Sequence, residues 1–140
     1  MKTWIAYAIV SMIFAGLTSV IAKLGLSGIS GEMGLTIRTC FVFFFVLVFS
    51  VFAISPAQFS GLSRANFLWL GLSGVTTTLS WIFYYKALKD GEVSTIALID
   101  KGSVVVAILL AIFILKEQIT VKTVLGAACM VAGILIIAKK

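Results

Sequence analysis

Two adjacent charged residues, Asp100 and Lys101, stand within an otherwise apolar stretch of the chain, and Ser103 follows closely. A charged side chain at membrane depth costs about 2.5–3.5 kcal/mol on insertion scales, so such residues are kept for pairing or for function. A carboxylate in a dry pocket can take up and release a proton near neutral pH. The pair is therefore a candidate proton- or solute-responsive site, and a structural salt bridge between helices is the alternative.

The chemistry of this pair depends on the helix that carries it. Adjacent residues diverge by about 100° around a helix, so Asp100 and Lys101 are not expected to pair well with each other. Each is expected to meet a partner on another helix or to line a hydrated cavity. Gly102 comes next and allows a local break, and broken helices line solute sites in membrane proteins.

Arg38 is the second candidate, because arginine keeps its charge and this one lies about one turn inside another apolar segment. It binds an anion in one interpretation; in the other it reaches the interface or pairs with Glu32. Trp81 and Tyr84 belong to an aromatic cluster at the end of a third apolar segment. Together with Ser103 they are candidate cavity walls for an organic solute, and a belt of interfacial aromatic residues is the alternative.

The elements that must position these residues are membrane-spanning helices. Of the 140 residues, 61% are hydrophobic and 11% are charged, against roughly 45–50% and about 25% in soluble domains. The mean hydropathy is +1.20. Such a chain cannot cover its own surface with polar groups, which excludes a soluble enzyme domain, a disordered tail and a secreted disulfide scaffold. We predict an integral membrane protein.

Five apolar stretches reach the roughly 20 residues that a helix needs to cross a bilayer. They cover approximately residues 4–22, 35–54, 67–85, 93–115 and 121–138. The stretches lack the alternating polar face of a membrane β-barrel. We therefore predict an all-α bundle of five transmembrane helices that forms a single domain over residues 1–140, multi-pass in the cell inner membrane.

The remaining composition argues against several other functions. The chain has no histidine, so the usual near-neutral proton shuttle and commonest metal ligand is missing. Cys40 and Cys129 lie in long apolar runs and are expected to be buried small hydrophobic residues. The net charge of +6 comes from scattered basic residues, most of them at segment ends. We expect no metal, no cofactor, no enzymatic activity and no nucleic-acid partner.

The flanking charges bear on orientation in the membrane. With five spans, one side of the membrane holds four basic residues and the other holds five, or six with Arg38. The positive-inside rule needs a clearer excess. Either a weak bias still sets one orientation, or the chain inserts both ways and forms an antiparallel homodimer, as inverted repeats do within longer transporters. A small-residue face formed by Gly126, Cys129 and Gly133 is expected to serve helix packing or the dimer interface.

The chain resembles the EamA domains of the drug/metabolite transporter superfamily over nearly its whole length. The motifs that carry the resemblance are Tyr84-Tyr85-Lys86-Ala87-Leu88, Leu115-Lys116-Glu117, Gly126 with Gly133, and, less closely, Gly16, Lys23 and Arg38. The element Ile99-Asp100-Lys101-Gly102-Ser103 is typical of the single-domain, five-span members. Two features depart from the pattern: the usual proline of the fourth span is absent near Leu98, and the usual Trp-Gly of the first span is Ala15-Gly16.

This resemblance implies one EamA-like repeat that works as a dimer. Its expected function is the transport of small organic metabolites or drugs by alternating access, with export as the expected direction. Asp100 is then the proton- or solute-responsive carboxylate, and Lys101 and Arg38 provide anion or counter-charge contacts. Two other functions stay open at this point: a non-transporting membrane subunit that stabilises a partner protein, and a flippase for a lipid carrier.

Overall fold

The computed structural model describes residues 3–138, and every element in that range is helical. The helices are α1 Thr3–Gly25, α2 Gly31–Ala53, α3 Arg64–Asp90, α4 Val93–Asp100, α5 Ser103–Leu110 and α6 Val121–Ala138. A 3-10 helix covers Pro56–Gly61, and a π-helical segment, Ala111–Leu115, continues α5. The described residues contain no strand, so the predicted all-α architecture is confirmed.

Four helical segments are long and apolar enough to cross a membrane: Thr3–Gly25, Gly31–Ala53, Arg64–Asp90 and Val93–Leu115. The last of these joins α4, α5 and the π-helical segment. The fifth predicted span corresponds to α6, a shorter apolar helix of 18 residues. At 1.5 Å per residue α6 is about 27 Å long, close to the thickness of a hydrocarbon core.

Helix boundaries differ from the predicted spans where polar side chains prolong a helix. α2 begins at Gly31 because the Ser30 hydroxyl accepts a hydrogen bond from the Met33 N–H at 3.2 Å, which caps the helix. α3 begins with a similar contact, from the Asn66 N–H to the Ser63 hydroxyl at 3.2 Å. The charged stretch from Lys86 to Asp90 lies beyond the predicted span of about 67–85 and forms the last turn of α3. Basic side chains suit that position because they lie near free backbone carbonyls.

The chain divides into two compact units. One runs from Ala22 to Asp90; the other combines the first helix up to Ile21 with the chain from Gly91 onward. Within the first of these units α2 packs against α3, and within the second α6 packs against α4 and α5. We call them the Arg38 unit and the Asp100 unit, after the candidate residue that each contains.

The Arg38 unit has a small buried centre where the ends of its helices meet. Leu26, Tyr85 and Leu88 are 3%, 4% and 0% exposed. Gly31 is buried beside them, and a Cβ atom at this position would lie 2.8 Å from the backbone oxygen of Tyr85. Only a residue without a side chain allows α2 to approach the backbone of α3 so closely.

Most large apolar side chains lie on the outside of the isolated chain. Phe52 is 87% exposed, and many other phenylalanine, leucine and isoleucine residues are more than half exposed. A soluble monomer rarely shows apolar patches of this extent. In a chain with these helices, such surfaces face lipid or another protein.

Candidate functional site

The fourth span is interrupted beside the charged pair. α4 ends at Asp100, where the Lys101 N–H is shared between the oxygens of Ala97 and Leu98, and later N–H groups bond three residues back, which gives a tighter, 3-10-like turn. The three bonds join Gly102 to Ile99 at 2.9 Å, Val104 to Lys101 at 3.1 Å and Val105 to Gly102 at 3.0 Å. The structure therefore shows the local break that Gly102 was expected to allow.

Gly102 is required by the close packing at this turn. A Cβ atom there would lie 2.9 Å from the backbone oxygen of Ile99 and 3.4 Å from the Cδ1 of Ile134 on α6. The first of these neighbours is backbone and cannot rotate away. The glycine thus fits the tight turn of its own span, while Ile134 of α6 packs beside it at an ordinary contact distance.

Asp100 and Lys101 pair with each other across this turn. The Lys101 Nζ lies 3.6 Å from the Asp100 Oδ2, and the two side chains are 50% and 38% exposed. We expected the two residues to pair poorly and each to meet a partner elsewhere; the structure instead shows a long contact between them, which the flexible lysine side chain reaches back to make. Half-exposed pairs of this kind contribute only about 0–1 kcal/mol. The contact is weak enough for either group to exchange it for another partner.

Ser103 is the first residue of α5 and is exposed, directly after the interruption. The Asp100 unit thus holds three of the predicted polar site residues within four positions of the chain. Among the residues that the structure describes, no three histidine, cysteine, aspartate or glutamate side chains cluster as a metal site would require.

Arg38 and Trp81 are brought together in the other unit. The guanidinium carbon of Arg38 on α2 lies 4.2 Å from the centre of the Trp81 ring and 5.8 Å from the centre of the Tyr85 ring. Trp81 and Tyr85 are one turn apart on α3 and so present both rings to the same side. Tyr84 meets Tyr85 edge to face, with ring centres 6.3 Å apart. The sequence placed Tyr85 in the same aromatic motif, but only Trp81 and Tyr84 were predicted as cavity walls.

One nitrogen atom of the Arg38 guanidinium makes no hydrogen bond. This atom, Nη1, is enclosed and has no hydrogen-bond partner, the one side-chain atom in this state among the described residues. Glu32 was a possible partner from the sequence, but its carboxylate pairs with Lys86 on α3 at 3.3 Å. Arg38 is thus a permanent cation that is held by rings instead of by an anion.

Two lysines tie the ends of α1 and α3 together, a feature that the sequence analysis missed. The Lys23 ammonium donates to the carbonyl oxygens of Leu88 at 2.6 Å and Lys89 at 2.9 Å. The Lys89 ammonium donates in return to the carbonyl oxygen of Leu26 at 3.0 Å. Each lysine stands in the last turn of its own helix and caps the other helix, where carbonyls lack intrahelical partners. The signal available in the sequence was that each of these lysines lies near the end of an apolar segment.

These lysines also border an open cavity of about 270 Å³, lined by Lys23, Leu26, Ser27 and Lys89. It belongs to the Arg38 unit. Its polar lining comes from ammonium groups that are already bonded to carbonyls, so it serves the junction of the helix ends.

The small-residue face of α6 is open in this chain. A Cβ atom at Gly126 or at Gly133 would have no atom of another described segment within 4 Å, and Cys129 is exposed. Cys40 is exposed as well, so the expectation that both cysteines are buried was wrong. Both thiols lie on outer helix surfaces of the isolated chain because its helices are apolar on more than one face.

The long apolar helices, with a charged pair at a helix interruption, define a multi-pass α-helical membrane protein. The family model of the EamA-like transporters matches residues 2–139. The chain is also 32% identical, over 140 residues, to a protein of Sinorhizobium sp described as an uncharacterized transporter in the cobO 3' region, and the match covers 98% of this chain and 97% of the relative. No solved structure matches the chain. The protein belongs to the EamA-like transporter family, and it is a multi-pass membrane transporter.

Proposed function

We propose that this transporter exports small organic metabolites or drugs by alternating access and works as an antiparallel homodimer in the cell inner membrane. The whole chain would act as one repeat, and a second copy would supply the other half of the pathway. The observation that carries the proposal is the interruption of the fourth span, which places a weakly paired carboxylate at a helix break.

Asp100 is the residue we assign to coupling. A transporter must exchange one partner of a charged group for another as it turns over, so a strong, fully buried salt bridge would resist the cycle. The 3.6 Å contact with Lys101 is long, and the two side chains remain partly exposed. In this proposal a proton or a solute replaces Lys101 as the partner of Asp100, with Lys101 as the counter-charge and Ser103 as a polar contact.

In the Arg38 unit we assign Arg38 to a counter-charge or anion contact, with Trp81 and Tyr84 as the apolar wall. Trp81 and Tyr84 are half-buried, so part of each ring remains accessible. Aromatic walls with a few polar groups are the usual lining of sites for small organic molecules.

Two features support the dimer. The basic residues of the predicted loops are divided almost evenly between the two sides, which favours insertion in both orientations. The face of Gly126, Cys129 and Gly133 is open in the isolated chain, and small residues allow membrane helices to approach closely. We assign this face to contact with the second copy.

The test is efflux from liposomes that contain the purified protein and are loaded with a filtered extract of small metabolites. Mass spectrometry follows the solutes that remain inside, with a proton gradient applied across the membrane. Wild-type vesicles are expected to lose at least one organic solute faster than protein-free vesicles do. Asp100→Asn is expected to abolish this loss, because the amide cannot take up and release a proton.

Glu117→Gln is the matched control, since it removes a carboxylate from the turn before α6 and should leave efflux unchanged. Equal elution of the variants from a sizing column shows that they fold alike. Full activity of Asp100→Asn would remove the central role of this residue. Loss of nothing but a lipid-linked molecule would favour a flippase, and no loss at all would favour a partner subunit.

A further inference from the structure

Arg38 has no acidic partner within its own unit, where basic residues outnumber acidic ones. Between Ala22 and Asp90 the sequence holds five basic residues and two acidic ones. Of the two, Glu32 is paired with Lys86, and no carboxylate of the described residues lies within 4.0 Å of Arg38. Since arginine cannot become neutral, its charge requires compensation from outside this unit.

The aromatic contacts compensate for only part of this requirement. A cation–π contact at 4.2 Å is worth about 0.5–2 kcal/mol, but a ring face accepts no conventional hydrogen bond. The enclosed Nη1 still lacks an acceptor, and a charged donor in this state costs upwards of about 1–3 kcal/mol. This donor is shielded as well as unpaired in the isolated chain, so an acceptor reaches it only when the surrounding side chains move.

The position of the head group also differs from that of an arginine that simply reaches for the membrane surface. A snorkelling side chain extends along its own helix toward the interface. The Arg38 guanidinium instead lies over a ring of the neighbouring helix α3, and Arg38 follows the start of α2 by about 10 Å along its axis. The rings restrain the plane of the fork, which lowers the ordering cost of binding.

We propose that Arg38 binds the oxyanion of the transported solute, a carboxylate or a phosphate, and that the substrates are therefore organic anions. The inference rests on the proposed transport function and specifies its substrate class. A planar guanidinium matches the two oxygens of a carboxylate or phosphate with two parallel N–H bonds. Trp81 and Tyr85 hold the fork, and the solute supplies the acceptor that Nη1 lacks.

The test measures binding apart from transport. Full-length protein in phosphatidylcholine nanodiscs is titrated with benzoate and with inorganic phosphate, and tryptophan fluorescence is recorded. Replacement of the other two tryptophans, Trp4→Phe and Trp69→Phe, leaves Trp81 as the reporter beside the guanidinium. Both anions are expected to give saturable changes, whereas benzyl alcohol, which has the same ring without the charge, should give none.

Variants assign the signal to the arginine. Arg38→Gln is expected to weaken benzoate binding by about tenfold or more, equivalent to 1.4 kcal/mol. Arg38→Lys keeps the charge without the fork and should fall between, which covers the case that the glutamine variant folds poorly. Arg64→Gln removes the other arginine of the chain and should bind as the wild type does.

Benzoate binding that is unchanged in Arg38→Gln and Arg38→Lys, or no saturable response to either anion, would overturn the proposal. An Arg38-dependent spectral change on transfer to phosphatidylglycerol nanodiscs, without a response to benzoate, would also overturn it and assign the site to a lipid headgroup. If efflux is limited to neutral or cationic solutes and Arg38→Gln does not change it, the anion site is refuted but the transport function is not. Arg38-dependent benzoate binding without any efflux would uphold the site and refute transport.

Discussion

The close approach of α2 to α3 makes a quantitative prediction for Gly31→Ala. The new Cβ atom would lie 2.8 Å from the Tyr85 oxygen, 3.0 Å from the Tyr85 carbonyl carbon and 3.2 Å from the Lys86 nitrogen. All three are backbone atoms, so relief requires the helices to separate locally by about 0.6 Å, and overpacking of this kind costs about 1–3 kcal/mol. The helix propensity of alanine offsets little of this, because Gly31 is the first residue of its helix.

We therefore expect Gly31→Ala to lower the free energy of unfolding by about 2 kcal/mol. The assay is unfolding of the purified protein by sodium dodecyl sulfate in mixed micelles, followed by circular dichroism. Gly71→Ala is the control: it lies within α3, and no atom of another described segment would come within 4 Å of its Cβ. The control is expected to be neutral or slightly more stable, because alanine favours a helix interior over glycine. Gly31→Ala that is as stable as the wild type would refute the packing of α2 on α3 at this point.

Two further predictions concern the helix ends and are read out by the same unfolding assay. Lys23→Met removes two charge-assisted hydrogen bonds to the end of α3 and is expected to cost about 2 kcal/mol, whereas Lys122→Met, on an exposed position of α6, should cost almost nothing. Equal stability of these two variants would show that the lysine contacts do not hold the helix ends. Lys116 adopts the left-handed conformation, with φ 53° and ψ 35°, so Lys116→Gly is expected to stabilise the protein by about 0.5–1 kcal/mol while Lys116→Ala does not. An equal gain in both variants would exclude relief of backbone strain as the cause.

The positions of the helices followed from the sequence, because the apolar stretches are long and their ends are marked by polar residues. The interruption of the fourth span was also predictable, since a glycine beside two charges in an apolar run conflicts with a regular helix. The pairing of Asp100 with Lys101 was not predictable from ideal helix geometry. It accompanies the tighter turn at Gly102, which departs from ideal α-helix geometry.

Contacts between helices were the least predictable part. These helices are apolar on several faces, so hydrophobic patterning does not specify which face meets which neighbour. Arg38 could have met Glu32 on the same helix, but in the structure Glu32 pairs with Lys86 and Arg38 contacts Trp81. Likewise, the glycines of α6 were the expected packing positions, whereas the tightest helix approach in the Arg38 unit is at Gly31.

The central claim, that the transporter functions as two copies of opposite orientation, is tested most directly by cysteine accessibility at the chain ends in intact cells. Cys40 and Cys129 are first replaced by serine, and a single cysteine is then added at either terminus. A membrane-impermeant maleimide is applied before and after the inner membrane is opened. Each terminus is expected to be labelled in part from both sides of the membrane. Labelling of each terminus from one side alone would contradict the claim.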